Sequence, residues 1–173
     1  MNIEFNQVYK RDEEDFKLIA GWDNDKEIRY FIRPNFSEGE IENITPEEII
    51  EAFEDNENKK IFMIACDNKK VGYINIDTDF NYLYKKEKKS AWIGICIGDK
   101  EYRGRGISKI AMNYLEELGK SLGINRIELG VFEYNERAID LYKKVGYKKI
   151  GEIDDFVYYK GRWHKDIRME KYI

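Results

Sequence analysis

The stretch that most constrains the fold runs from Lys89 to Gly123. "KSAWIGICIG" is apolar at most positions, the pattern of a strand buried on both faces and therefore central in its sheet. "DKEYRGRGIS" follows. From Ile107 the apolar residues then fall at 107, 110, 111, 114, 115, 118 and 122, a 3.6-residue stripe closed by Gly123. Another apolar run, "RIELGVF", comes next. A buried strand, a glycine-rich turn, a long amphipathic helix and a second strand make a β-α-β crossover.

The turn itself points to chemistry. Gly104 and Gly106 flank Arg105 in "YRGRGIS", so backbone N–H groups can converge without Cβ obstruction. The first turn of the helix leaves N–H groups unsatisfied, and its dipole favours an anion. Arg103 and Arg105 can add charge-assisted bonds. A ligand with several phosphate oxygens fits these residues, and so does an ordinary glycine-rich turn with solvated arginines. A dinucleotide fingerprint needs a third glycine where Lys109 stands, and a Walker loop needs the GK[ST] that is absent here.

The remaining elements read in order. "NIEFNQVY" alternates like an opening strand. "DEEDFKLIAGWDND" is a helix with Phe16, Ile19 and Ala20 on one face. "ITPEEIIEAFEDN" carries a capping box, with Thr45 as cap, Pro46 at the first helical position and Glu48 three residues on, ahead of Ile49, Ile50 and Phe53. "KIFMIAC", the turn "DNKK" and "VGYINIDT" form a hairpin. "NERAIDLYKKVG" is a helix capped by Asn135 and stopped by Gly146, and the last two strands meet at a Lys-Gly turn. The expected order is β-α-α-β-β-β-α-β-α-β-β in an α/β fold of one domain, residues 1–173.

Composition narrows the function. A net charge of −4 argues against a bulk nucleic-acid binder. No run reaches the roughly 18 apolar residues of a membrane span, and "MNIEFNQVYK" has no signal pattern. A cytoplasmic protein is expected, with Cys66 and Cys96 as buried thiols and no metal. The basic run "YKKEKK" at 84–89 reads as a solvated hairpin end.

"RGRGIS" resembles the acetyl-CoA signature Q/R-x-x-G-x-G/A of the GNAT N-acetyltransferases. Arg103 holds the Q/R place, Gly106 the central glycine, and Ser108 the last place, where Gly or Ala is usual. "NERAIDLYKKVGY" is similar to the family's N-x-x-A-x-x-L-Y-x-x-x-G-F/Y segment, through Asn135, Ala138, Leu141, Tyr142, Gly146 and Tyr147. The resemblance implies a mostly antiparallel seven-stranded sheet with helices on both faces. It implies acetyl-CoA as co-substrate, with its pyrophosphate on Arg103, Gly104, Arg105, Gly106, Ile107 and Ser108. It places the pantetheine arm beside Ile95, Cys96 and Ile97, near Asn135. It makes Tyr142 the general acid for the departing thiolate. The base is less defined. Some members carry a Glu where Gly130 stands, so Glu128 on the same strand face is the first candidate, with Glu133, Asp77, Asp79 and His164 as others. The partner implied is a small-molecule or peptide amine, with a homodimer left open. Nine acidic and no basic residues between Glu38 and Glu57 favour a cationic amine if they border the acceptor mouth. The competing readings are a non-catalytic acyl-CoA-binding sensor or scaffold, a nucleotide-binding regulator and a protein N-terminal acetyltransferase.

Overall fold

A computed structural model describes every residue except Asp55. Strands are β1 (Ile3–Gln7), β2 (Lys59–Cys66), β3 (Lys69–Asp77), β4 (Ser90–Cys96), β5 (Arg126–Phe132), β6 (Lys148–Tyr159) and β7 (Arg162–Tyr172). Helices are α1 (Glu13–Asp23), α2 (Arg29–Ile32), α3 (Pro46–Glu54), α4 (Ile107–Ser121) and α5 (Glu136–Lys144). The seven strands form one sheet in the order β1-β2-β3-β4-β5-β7-β6, antiparallel throughout except for the β4–β5 pair.

The expected order holds with two additions, α2 and a 3₁₀ turn over Lys100–Tyr102. At four and three residues, neither is long enough for an apolar stripe to repeat, so periodicity cannot reveal them. Local chemistry explains the longer elements. The Thr45 N–H donates to Glu48 Oε2 at 2.7 Å, and the Glu48 N–H donates to Thr45 Oγ1 at 3.2 Å, closing the capping box. Asp67 and Asn68, both with positive φ, turn the β2–β3 hairpin. The acidic run's Asp55 lies outside the described residues, as does the side chain of Glu54.

Strand alternation puts a core on each side of the sheet. Phe62 and Ile64 of β2 pack with Ile107, Ala111, Met112 and Leu115 of α4. Their neighbours Ile61 and Met63 pack with Phe16 and Ile19 of α1, and with Ile49, Ile50 and Phe53 of α3. The helices therefore lie on both faces. Cys66 and Cys96 are both free and buried.

The feature that positions the site is in the middle. β4 and β5 run parallel and in register only for Ser90–Arg126, Ala91–Ile127 and Trp92–Glu128. Beyond that they separate. β5 continues its pairing with β7 to Phe132, and β4 continues with β3 to Cys96. The sheet is thus a V, with its open end next to the start of α4.

Candidate active site

A cleft of about 1570 Å³ occupies the V and reaches both faces of the sheet. At one end is the loop before α4. Gly104 (φ 78°) and Gly106 (φ 82°) are left-handed, a conformation that favours glycine. Among the described residues, the N–H groups of Gly104, Arg105, Gly106, Ile107 and Ser108 donate to no protein acceptor. No side chain caps α4. Consecutive free amides at a helix start form a concave anion site.

The cations around this loop differ from those expected. Arg103 lines the cleft, but its guanidinium turns back onto β4. Nε donates to the Ile97 carbonyl at 3.0 Å and Nη2 to the Gly98 carbonyl, with Glu27 and Asp25 at 3.6 and 3.8 Å. It fixes the loop to the strand. Arg105 is exposed and packs its guanidinium over the Tyr102 ring at 5.0 Å. The charge reaching the loop comes instead from Arg137, whose Nη2 lies 2.9 Å from where a Cβ on Gly104 would stand, with Lys109 also on the cleft wall. A sequence signal for Arg137 exists. It is a cation in the first turn of α5, where the helix dipole disfavours it.

Ile95, Cys96 and Ile97 line the cleft along the edge of β4 that β5 leaves unpaired. Every second amide along that edge points into the gap. Burial pushes the Cys96 thiol well up, so it stays protonated and inert. Ile107 contributes only its backbone, because its side chain is core. Asn135 caps α5, its Oδ1 accepting from the Ala138 N–H at 3.3 Å, and borders the cleft.

Tyr142 projects from α5 to the cleft wall, 8 % exposed. Among the described residues its hydroxyl has no hydrogen-bond partner. Burial alone pushes its pKa up to about 12. A phenol this weak in acidity holds its proton. Its hydroxyl is a hydrogen-bond donor at the cleft wall.

Glu128 corrects the expectation of a base. It is 0 % exposed and off the cleft. Its Oε1 accepts from the Tyr84 N–H at 2.6 Å and lies 3.5 Å from Arg168 Nη1. Its Oε2 accepts from the Lys85 N–H at 3.3 Å and from Arg126 Nη2. A carboxylate with four partners is a structural anchor. The run "YKKEKK" is solvated as expected at Tyr84, Lys86, Glu87, Lys88 and Lys89, but the same network ties it down through Lys85 and the neighbouring backbone. Lys85 Nζ pairs with Glu170 at 3.0 Å, the Tyr82 carbonyl accepts from Arg168 at 2.9 Å, and the segment is held down across β5 and β7. That brings Phe80 onto Trp92, stacked at 4.6 Å, as an aromatic wall of the cleft.

His164 sits away from this cleft, buried between Glu133 Oε1 (3.1 Å) and the Tyr159 carbonyl (3.0 Å). Asp77 lines the cleft, but both its oxygens are taken, by Asn56 Nδ2 at 2.7 Å and the Asp79 N–H at 2.9 Å. The acidic rim is also corrected. Glu38, Glu40 and Glu42 are exposed and off the cleft wall, and Glu40 faces Arg29 at 3.4 Å.

The Acetyltransferase (GNAT) family model matches residues 9–147. The chain belongs to that family. Its relatives include the spermidine N(1)-acetyltransferase of Escherichia coli K12, 26 % identical over 118 residues, covering 66 % of this chain and 59 % of that protein. The chain thus spans about three fifths of the length of that relative. The L-amino acid N-acetyltransferase AaaT of E. coli K12 is 34 % identical over 90 residues, 50 % of this chain and 52 % of that one. Among solved structures, a spermidine N-acetyltransferase from Vibrio cholerae in complex with CoA and spermine superposes with a TM-score of 0.77, at 20 % identity over 98 % of this chain and 95 % of that one. An N-acetyltransferase from Staphylococcus aureus Mu50 gives 0.79, at 21 % identity over 99 % of both chains. These two likenesses establish the GNAT fold for the whole sheet, including the β6–β7 hairpin beyond residue 147.

Proposed function

We propose that this GNAT protein transfers an acetyl group from acetyl-CoA to a primary amine. The observation that carries the reading is the meeting of three parts in one cleft: the free amides of Gly104–Ser108, the open edge of β4 and the unpartnered hydroxyl of Tyr142. The amides and Arg137 hold the pyrophosphate. The pantetheine amides pair with the β4 edge at Ile95–Ile97 and add like a strand. An N–H of that edge polarises the thioester carbonyl as charge develops on its oxygen. Tyr142 donates a hydrogen bond to the departing sulfur.

The acceptor enters from the side of Trp92 and Phe80. A small amine is favoured, since aromatic faces receive either a cationic or an apolar chain. A preference for cationic amines would come from Glu27, Asp77 and Asp166 on the cleft wall, against Lys59, Lys86 and Arg168 beside them. The buried thiols support a reducing, cytoplasmic setting.

The test is thiol release from acetyl-CoA with a panel of polyamines, amino acids, aminoglycosides and peptide N-termini. Turnover with an amine is expected. CoA binding without turnover on any amine would leave an acyl-CoA sensor, and equal affinity for CoA and NAD would leave a nucleotide-binding regulator.

A further inference from the structure

The acceptor side of the V has two gaps in its floor. Past the last registered pair, Trp92–Glu128, the next residues on that face are Gly94 of β4 and Gly130 of β5. Each glycine is overhung by a polar side chain. Asn75, registered opposite Gly94, places Nδ2 2.6 Å from where a Gly94 Cβ would stand. Asp166 of β7 places Oδ2 and Oδ1 2.7 and 3.0 Å from where a Gly130 Cβ would stand, and the Trp92 ring comes within 2.8 Å of the same point. Asn75, Trp92 and Asp166 all line the cleft.

These two polar groups are under-satisfied. Asp166 is only 2 % exposed. Its Oδ2 accepts from Arg168 Nε at 2.6 Å, but among the described residues no protein donor reaches Oδ1, and no partner reaches the Asn75 carboxamide. Asp77 and Glu128, by contrast, accept from protein donors at both oxygens. Asp166 Oδ1 is an acceptor facing the gap, and the Asn75 carboxamide brings both a donor, Nδ2, and an acceptor, Oδ1 at 3.3 Å from the Gly94 Cβ point, so together they fit a ligand that donates N–H bonds to the two oxygens.

A primary amine is such a ligand. Resting on the acetyl-transfer reading, we propose that Asn75 and Asp166 hold the acceptor nitrogen over Gly94 and Gly130, and that Asp166 takes its proton. The nitrogen lone pair forms the C–N bond at the thioester carbonyl carbon. The N–H proton passes to Asp166 Oδ1. The C–S bond breaks, its electron pair leaving with sulfur toward Tyr142. Solvent carries the proton from Asp166 to the thiolate, so the sum is amide and free thiol. A carboxylate does not strip a free ammonium of pKa about 10, but the nitrogen turns acidic as the C–N bond forms, and the transfer belongs to that moment.

The surroundings suit a base. Burial, and secondarily Glu128 of β5, raise the Asp166 carboxyl above its ordinary value, while Arg168 opposes them. The Tyr134 hydroxyl, after β5, is the further titratable group that interacts with it. Asp166 is therefore a stronger base than a solvated aspartate, with Arg168 holding the ionised form in place.

The experiment uses Asp166→Asn and Gly130→Ala, with CoA affinity by calorimetry and thiol release by an amine panel from about pH 6 to 10. Asp166→Asn should lower kcat/KM about 10²-fold at pH 7, with CoA affinity within about twofold of wild type. The deficit should narrow toward pH 10, where hydroxide takes the proton from the C–N adduct in place of Asp166. A deficit below about threefold, or one equal at every pH as a purely structural role gives, overturns the proposal. Gly130→Ala keeps the aspartate but forces its carboxylate aside, so KM for the amine should rise with CoA affinity unchanged. An unchanged KM overturns the proposal even if Asp166→Asn does not fold. A wild type that binds CoA but acetylates no amine removes the acetyl-transfer reading and this proposal together. An active wild type matched by both variants removes this proposal alone.

Discussion

Gly106→Asp separates the fold of the α4 loop from its use. Gly106 is the N-cap of α4 at φ 82° and ψ 0°, and nothing stands within 4 Å of where its Cβ would be. The new side chain therefore meets no clash. Its cost is the left-handed backbone, about 1 kcal/mol for a residue type that tolerates this region better than most. In a chain of this size that lowers Tm by about 3 °C. The side chain gains little as a cap, because capping geometry needs an extended backbone that Gly106 does not have. The ligand is affected far more. A carboxylate about 6 Å from one phosphate charge is repelled by about 3 kcal/mol at an effective dielectric of 20, and screening by salt halves that. About 1.4 kcal/mol is tenfold in affinity. Calorimetry should show CoA binding weakened at least tenfold, and a melting scan without ligand should show the small Tm loss. A folded Gly106→Asp protein that binds CoA within about threefold of wild type would refute the anion site at Gly104–Ser108.

Three further outcomes follow from the same geometry. Tyr142→Phe should lower kcat about 10²-fold, with CoA affinity and Tm nearly unchanged because the lost hydroxyl has no protein partner. Since the folded phenol titrates near 12 against about 10 when unfolded, its share of stability is intact below pH 10 and is lost as pH rises from there to 12. An alkaline fall in kcat that begins below pH 10 and disappears in Tyr142→Phe would contradict this. Glu128→Gln should destabilise by about 3–5 kcal/mol, by leaving Arg126 and Arg168 under-compensated in the interior; a Tm within about 2 °C of wild type would refute the anchoring role. Changing Glu38, Glu40 and Glu42 together to Gln should leave KM for a polyamine and its salt dependence intact, and a clear rise in KM would put those carboxylates back at the acceptor mouth.

The parts legible in the sequence are those whose cause is local. The capping box at Thr45, the stripe of α4 and the two left-handed glycines before it each declare themselves within a few residues. The ends of most elements fall within a residue or two of their signals for that reason. What stayed hidden depends on register. Glu128 and Gly130 share a strand face, as alternation requires, yet one is buried under Arg126, Arg168 and the Tyr84 and Lys85 amides while the other opens the cleft. Nothing near "RIELGVF" tells them apart. Asp166 reaches Gly130 only because β7 pairs with β5 in one particular alignment, set by chain folded 30 residues later. The charge run at 84–89 is solvated, as its composition suggests, but its anchors Arg126, Glu128 and Glu170 are distant in sequence and so could not be read from it. The acidic run between Glu38 and Glu57 had a composition that fitted a function, but composition carries no direction, and its described carboxylates off the helix cap face solvent or Arg29.

The V between β4 and β5 has a consequence for how the protein holds together. Its inner edges are half a strand of unpaired backbone in the middle of a sheet, and such an edge is a template for any extended chain that reaches it. Here the edge lies inside the cleft, along Ile95, Cys96 and Ile97. On the proposed reading the donor therefore adds the pairing that the β4 edge lacks beyond Trp92. At a donor concentration a hundredfold above Kd, this adds about 2.7 kcal/mol to the folded state. On that reading occupancy of the cleft raises resistance to unfolding, which a melting scan with and without CoA measures.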